Sequence, residues 1–82
     1  MGEKFVRGVR WVRVEPRWTE MEAWTAPRIG GRIALCRTVV GLAWEVEAGG
    51  CVKYFTTFDE CSRFARTKRN SGVTLEEGEM KE

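Results

Sequence analysis

Histidine is missing from all 82 residues. Its absence removes Ser-His and Cys-His nucleophilic pairs, the commonest general base and most transition-metal sites. Cysteine is sparse: Cys36, Cys51 and Cys61, an odd number without a CxxC spacing. That argues against a disulfide framework and a closed zinc site, and suits reduced thiols in a cytoplasmic protein. A single Cys36–Cys51 or Cys51–Cys61 bridge stays open. Cys51 beside a glycine turn has no base to activate it as a nucleophile. Long apolar runs are lacking too. None reaches the roughly 18 residues needed to span a bilayer, and the opening MGEKFVRGVRW is too charged for a signal peptide. Gly2 begins a myristoylation-like pattern, but Val6 stands where Ser or Thr is required. The expectations are no enzyme activity, no metal, no cofactor, no small-molecule substrate and no membrane partner.

What is present is one small domain with a thin core. The net charge of +2 hides an asymmetry. Residues 76–82, EEGEMKE, hold four acids and one lysine, or −3, and read as an acidic, disordered tail. Residues 1–75, the expected domain, hold 13 of the 14 bases and 8 of the 12 acids, or +5. Ten of the bases are arginine, whose planar fork suits phosphate and carboxylate.

Local patterns predict an α+β fold: an antiparallel meander of three to five strands with one C-terminal helix packed on one face. Residues 4–15, KFVRGVRWVRVE, read as a strand, rich in Val and Trp. Its alternation is imperfect, so either Gly8 marks a bulge or the strand is an edge with arginines on both faces. Residues 17–26 fit a short helix opened by Thr19-x-x-Glu22, or a strand. The strand is preferred, because short helices are marginal alone. It would show Glu20 and Glu22 on one solvent face. PRIGG, residues 27–31, is a turn. RIALCRTVV, residues 32–40, is a strand closed by Gly41.

GLAWEVEAGG alternates Leu42, Trp44 and Val46 with Ala43, Glu45 and Glu47, the cleanest half-buried strand in the chain. A three-residue loop over 48–50 would set Val46 against Val52 and Trp44 against Tyr54, the register that the hydrophobic pattern favours. Lys53 and Phe55 then join Glu45 and Glu47 on the uncovered face. Thr57-x-x-Glu60 is a capping box that starts a helix. Phe58, Cys61, Phe64 and Ala65 form its apolar stripe. Lys68 and Arg69 fit its last turn, and Asn70-Ser71-Gly72 its stop. Val73-Thr74-Leu75 would dock back as an apolar clip.

Arg63, Arg66, Lys68 and Arg69 crowd one helical segment. Arg7, Arg10 and Arg13 dot the first strand, with Arg28, Arg32 and Arg37 further along. Bases interleaved with Trp11, Phe55 and Trp18 have the composition of a nucleic-acid surface. The segment WEVEAGGCVKYFTTFDECSRFA resembles the strand–turn–strand–helix end of the arm-type DNA-binding domains of phage-like integrases. That resemblance covers about a quarter of the chain. It implies a three-stranded sheet packed on one helix and entering the major groove, with DNA contacts from Lys53 and Phe55. Glu45 and Glu47, on the same face, depart from that pattern.

The expected function is therefore a small non-enzymatic module that binds DNA. The expected binding set is Arg7, Arg10, Arg13, Lys53, Phe55, Arg63, Arg66, Lys68 and Arg69. The alternative is an inhibitor or adaptor resembling the accessory proteins of phages and mobile elements, such as anti-CRISPR and anti-restriction proteins. Its partner would be a host protein that handles nucleic acid. Trp, Arg and Tyr suit either role.

Overall fold

The computed structural model describes residues 2–78, with side chains through Lys68. In chain order it contains β1 (Glu3–Val6), β2 (Val9–Val14), β3 (Glu20–Ala26), β4 (Gly31–Thr38), β5 (Gly41–Ala48), β6 (Cys51–Phe55) and α1 (Phe58–Gly78). The strands form one antiparallel meander in sequential order, and α1 packs on one face. The class is the expected α+β; the sheet has six strands, not three to five.

The added strand comes from the N-terminal segment. Residues 4–15 form a hairpin instead of one strand, because Arg7 and Gly8 make a two-residue turn with φ of 54° and 78°. Two consecutive positive φ values match the type I′ turn, whose twist suits the flanking strands. Lys4 then pairs with Trp11 and Phe5 with Arg10. The left-handed conformation costs a non-glycine residue roughly 1–2 kcal/mol, so Arg7 carries no turn signal by residue type.

Gly49 and Gly50 repeat the device, with φ of 57° and 79°. Trp44 pairs with Phe55, Glu45 with Tyr54, and Val46 with Lys53. The expected three-residue loop is overturned: two adjacent glycines meet the demand for two positive φ values, and the ladder accepts Lys53 opposite Val46. Lys53 and Phe55 consequently lie on the helix side. Val52 and Tyr54 take the open face beside Glu47 and Glu45.

Two other details differ from expectation. Residues 20–26 are a strand, as preferred, but a bulge at Met21 separates the Glu20–Cys36 pair from the Glu22–Leu35 pair. The extra residue resets the period-two phase and sends Glu20 and Glu22 to opposite faces. The strand expected over 32–40 ends at Thr38, and Val39 and Val40 form the next turn.

The core is built around the start of α1. Thr57 caps it as expected: its Oγ1 accepts the Glu60 N–H at 3.2 Å and donates to Glu60 Oε1 at 3.2 Å. Phe58 meets three tryptophans edge to face, with centroids 5.7 Å from Trp11, 5.8 Å from Trp24 and 5.3 Å from Trp44. Each such pair contributes about 0.5–1.5 kcal/mol beyond its area burial. Cys61 and Ala65 continue the buried stripe, and Phe64 rests on Phe55.

Ser62, outside the expected stripe, is fully buried. Its Oγ accepts the Trp11 indole N–H at 2.8 Å and donates to the Val6 carbonyl at 2.8 Å. Farther along, a Cβ on Gly31 would lie 3.1 Å from Trp11 and 3.3 Å from the Ala65 methyl. Glycine there lets the helix approach the sheet.

The helix passes the expected stop at Asn70-Ser71-Gly72 and continues to Gly78. One interior glycine costs about 1 kcal/mol, which need not end a helix. Lys68 and Arg69 are therefore mid-helix, and the expected clip at 73–75 is helical backbone. The last four residues of the expected tail, 79–82, lie outside the described residues. Among the described residues no helix is long and apolar enough to cross a membrane.

Ser62→Ala leaves the Trp11 N–H and the Val6 carbonyl without their partner. It should lower unfolding free energy by about 2–3 kcal/mol, read as a lower urea midpoint at unchanged slope. The cysteines give a second test. All three are free thiols, with Cys36 and Cys61 buried and Cys51 half-buried. Burial pushes the Cys61 thiol up to about 12, and burial with the nearby Glu45 charge pushes Cys36 to about 11. A thiol reagent near pH ~8 should label Cys51 alone in the native protein and the other two only on unfolding. Equal labelling of all three would contradict this packing.

Candidate nucleic-acid interface

The structure divides the expected binding residues among several places. Arg7, in the β1–β2 turn, is committed to Asp59: its Nε lies 3.0 Å from both carboxylate oxygens and its Nη2 2.8 Å from Oδ2. The hydrogen bond to Arg7 holds the Asp59 carboxyl below its ordinary range. Arg10 stands on the open face of β2 and pairs with Glu3. Arg13 lies on the helix side, its guanidinium carbon 5.6 Å from the centre of Trp24. Lys53 is exposed on the helix side of β6, and Phe55 packs on Phe64 with centroids 5.9 Å apart. Arg63 is exposed on α1. Lys68 has its Nζ 5.9 Å from the Phe64 ring and its Cβ against the Gly49 turn. The Arg69 side chain lies outside the described residues.

Two members of the expected set do come together. Arg10 and Arg66 line a cleft of about 710 Å³, joined by Arg28 from the β3–β4 turn. Phe5 and the Val9–Pro27–Ile29 surface supply its apolar walls. Arg66 is held in place: its Nη1 donates to the Arg7 carbonyl at 2.9 Å. The same nitrogen would lie 3.4 Å from a Cβ on Gly8, so the turn glycine leaves it room. Phe5 is mostly exposed and sits directly across the β1–β2 ladder from Arg10.

The three guanidiniums differ in how far they are occupied. Among the described residues three ion pairs form: Arg7–Asp59, Arg10–Glu3 and Arg32–Glu20. Arg28 is in none of them, and Arg66 bonds a neutral carbonyl. Arg10 shares its charge with Glu3, whose carboxyl the hydrogen bond to Arg10 holds below its ordinary range. The Arg10–Glu3 pair is about half exposed, and such pairs contribute little to stability. An incoming anion could therefore compete for Arg10 at small cost.

The open face has a different character. Glu45 accepts the Tyr54 hydroxyl at 3.0 Å, which raises the Tyr54 pKa, and lies 3.6 Å from Cys36 Sγ. Glu20, mostly buried, pairs with Arg32 at 2.5 Å and accepts the Arg17 backbone N–H at 2.7 Å. Burial pushes its carboxyl up, but the bonds from Arg32 and Arg17 outweigh that and hold it below the ordinary range. The contacts implied from Lys53 and Phe55 on this face are not formed there.

Arg28 and Phe5 escaped the candidate set for a shared reason. With residues 4–15 read as one strand, nothing sets Phe5 across from Arg10, and Arg28 is only a turn residue. The available signal was Gly8 alone, between Val6 and Val9, since glycine suits one of the two positive-φ positions of a two-residue turn. Comparison of the chain with protein-family models, with curated proteins and with solved structures finds no match.

Proposed function

We propose that the chain is a non-enzymatic nucleic-acid-binding module whose contact site is the Arg10–Arg28–Arg66 cleft. The observation that carries this reading is that three arginines line one cleft together with an exposed phenylalanine. Arginine forks donate bidentately to phosphate oxygens. An aromatic face offers a stacking surface that every base can use. The cleft replaces the β5–β6 part of the open face as the preferred contact, because that part holds Glu45 and Glu47 and neither Lys53 nor Phe55.

Fluorescence anisotropy with labelled DNA tests the proposal. Binding should weaken steeply between about 50 mM and about 200 mM salt, with a log–log slope near −2 to −3 for about three phosphate contacts. Arg28→Ala removes an exposed turn side chain, so it should weaken binding by about tenfold or more with an unchanged melting temperature. Absence of any anisotropy change at low salt would overturn the proposal.

A second reading, as a protein-binding inhibitor or adaptor, has its own observation. At the sheet end opposite the cleft, Trp18 (91% exposed) and the turn residues Val39 (101%) and Val40 (92%) project into solvent. Exposed apolar clusters mark interaction surfaces. On this reading, a host protein captured from nuclease-treated lysate is lost with the double change Val39→Asp and Val40→Asp. Equal capture by wild type and the double variant would remove that end from consideration.

A further inference from the structure

Beside the arginine cleft lies a second cavity, of about 440 Å³. Its lining includes Arg17, Thr25, Arg32 and Glu47, with the Gly49–Gly50 turn at its rim. Pro27 lines both cavities, so only the β3–β4 turn stands between them. Thr25, Arg32 and Glu47 belong to the open face of the sheet, since Thr25 pairs with Arg32 and Arg32 with Glu47. The first cleft, by contrast, reaches the helix side through Arg66. A ligand that occupies both must turn around Pro27.

We infer that the two cavities form one track, and that the nucleic acid it takes is single-stranded. The inference rests on the arginine-cleft reading above. Five arginines line the joint track, three in the first cleft and two in the second, against one carboxylate, Glu47. Arg17 is exposed and in no ion pair among the described residues. Arg32 is mostly buried and paired with Glu20, yet its Nε has no hydrogen-bond partner. That nitrogen is buried, so what Arg32 brings to the second cavity is its positive charge rather than a free donor.

Strand number follows from stiffness and size. Duplex DNA stays nearly straight over tens of base pairs, and does not follow two open depressions that lie on different sides of one turn. A single strand bends at each nucleotide and can place a phosphate or base in each. Gly50 keeps its part of the far rim open, with nothing within 4 Å of its Cβ position, while Lys68 packs against Gly49.

The test is a length series of oligothymidylates from about two to about twelve nucleotides, bracketing the smallest sites of known single-strand binders. Wild-type affinity should climb with length and then level off once both cavities are filled. Arg17→Ala should lower affinity for the longer oligomers by about fivefold and leave the shortest unchanged, since each phosphate contact adds separately. Glu47→Gln should tighten the longer oligomers only. Circular dichroism checks that each variant is folded. Length-independent affinity, or equal loss at all lengths in Arg17→Ala, overturns the shared track while leaving the cleft reading intact. A matched duplex that competes as well as the single strand overturns it too. No binding at any length overturns both.

Discussion

The molecule is organised by one ring. Phe58, the first residue of α1, touches Trp11, Trp24 and Trp44 edge to face. Those tryptophans come from β2, β3 and β5, so the contact fixes the helix start over the sheet. Lys4 covers the cluster, its Nζ 3.9 Å from the Phe58 centroid and 4.4 Å from that of Trp24. Thr57 caps the helix one residue before the ring, so cap and hub are placed together. A thin core of this size cannot spread its stability over many layers. Three aromatic contacts on one residue concentrate it.

From that anchor the remaining helix positions follow by the turn of the helix. Ser62 falls one turn on and takes up the N–H that a buried Trp11 must satisfy. Ala65 falls about two turns on, against Gly31, where two small residues let backbone approach backbone. Arg66 comes next and meets the β1–β2 turn. The cleft is thus a consequence of where Phe58 sits, although Phe58 does not line it.

Much of this was legible in the residues and some was not. The alternation of Trp44 and Val46, the Thr57-x-x-Glu60 box and the Phe58–Cys61–Ala65 stripe each encode one structure through local rules, and each stands in the fold. Two of the failures share a cause, the lack of any signal in the residue type. Arg7 adopts a left-handed conformation that its residue type disfavours, and Met21 adds a bulge that no turn residue announces. At Gly49–Gly50 two rules competed, hydrophobic pairing against turn geometry, and turn geometry prevailed. An error of one residue there exchanges every side chain between faces, which is how Lys53 and Phe55 were assigned to the wrong side. Arg10 and Arg66 were legible as bases. Their meeting with Arg28 was not, because it joins two turns and a helix far apart in the chain.

The strained turn explains how the cleft is held. The β1–β2 hairpin lies at the sheet edge, where it has one neighbouring strand. Three helix residues hold it: Asp59 bonds the Arg7 side chain, Ser62 the Val6 carbonyl and Arg66 the Arg7 carbonyl. Positions 59, 62 and 66 are spaced i, i+3 and i+7, which places them on one stripe of the helix. That stripe meets the hairpin along two consecutive residues, Val6 and Arg7. The left-handed arginine is strained. Its carbonyl bond to Arg66 and the Val6 carbonyl bond to Ser62 hold the turn in place. The half-exposed Asp59 pair orients the Arg7 side chain more than it stabilises the fold. Strained conformations persist where the surroundings over-determine them, and here the over-determination orients Arg66. The charge that matters for binding is therefore not the net +5 of residues 1–75. It is set by which guanidiniums the fold has already engaged. Arg7 holds the hairpin, and that contact leaves Arg66 facing the cleft with a neutral partner.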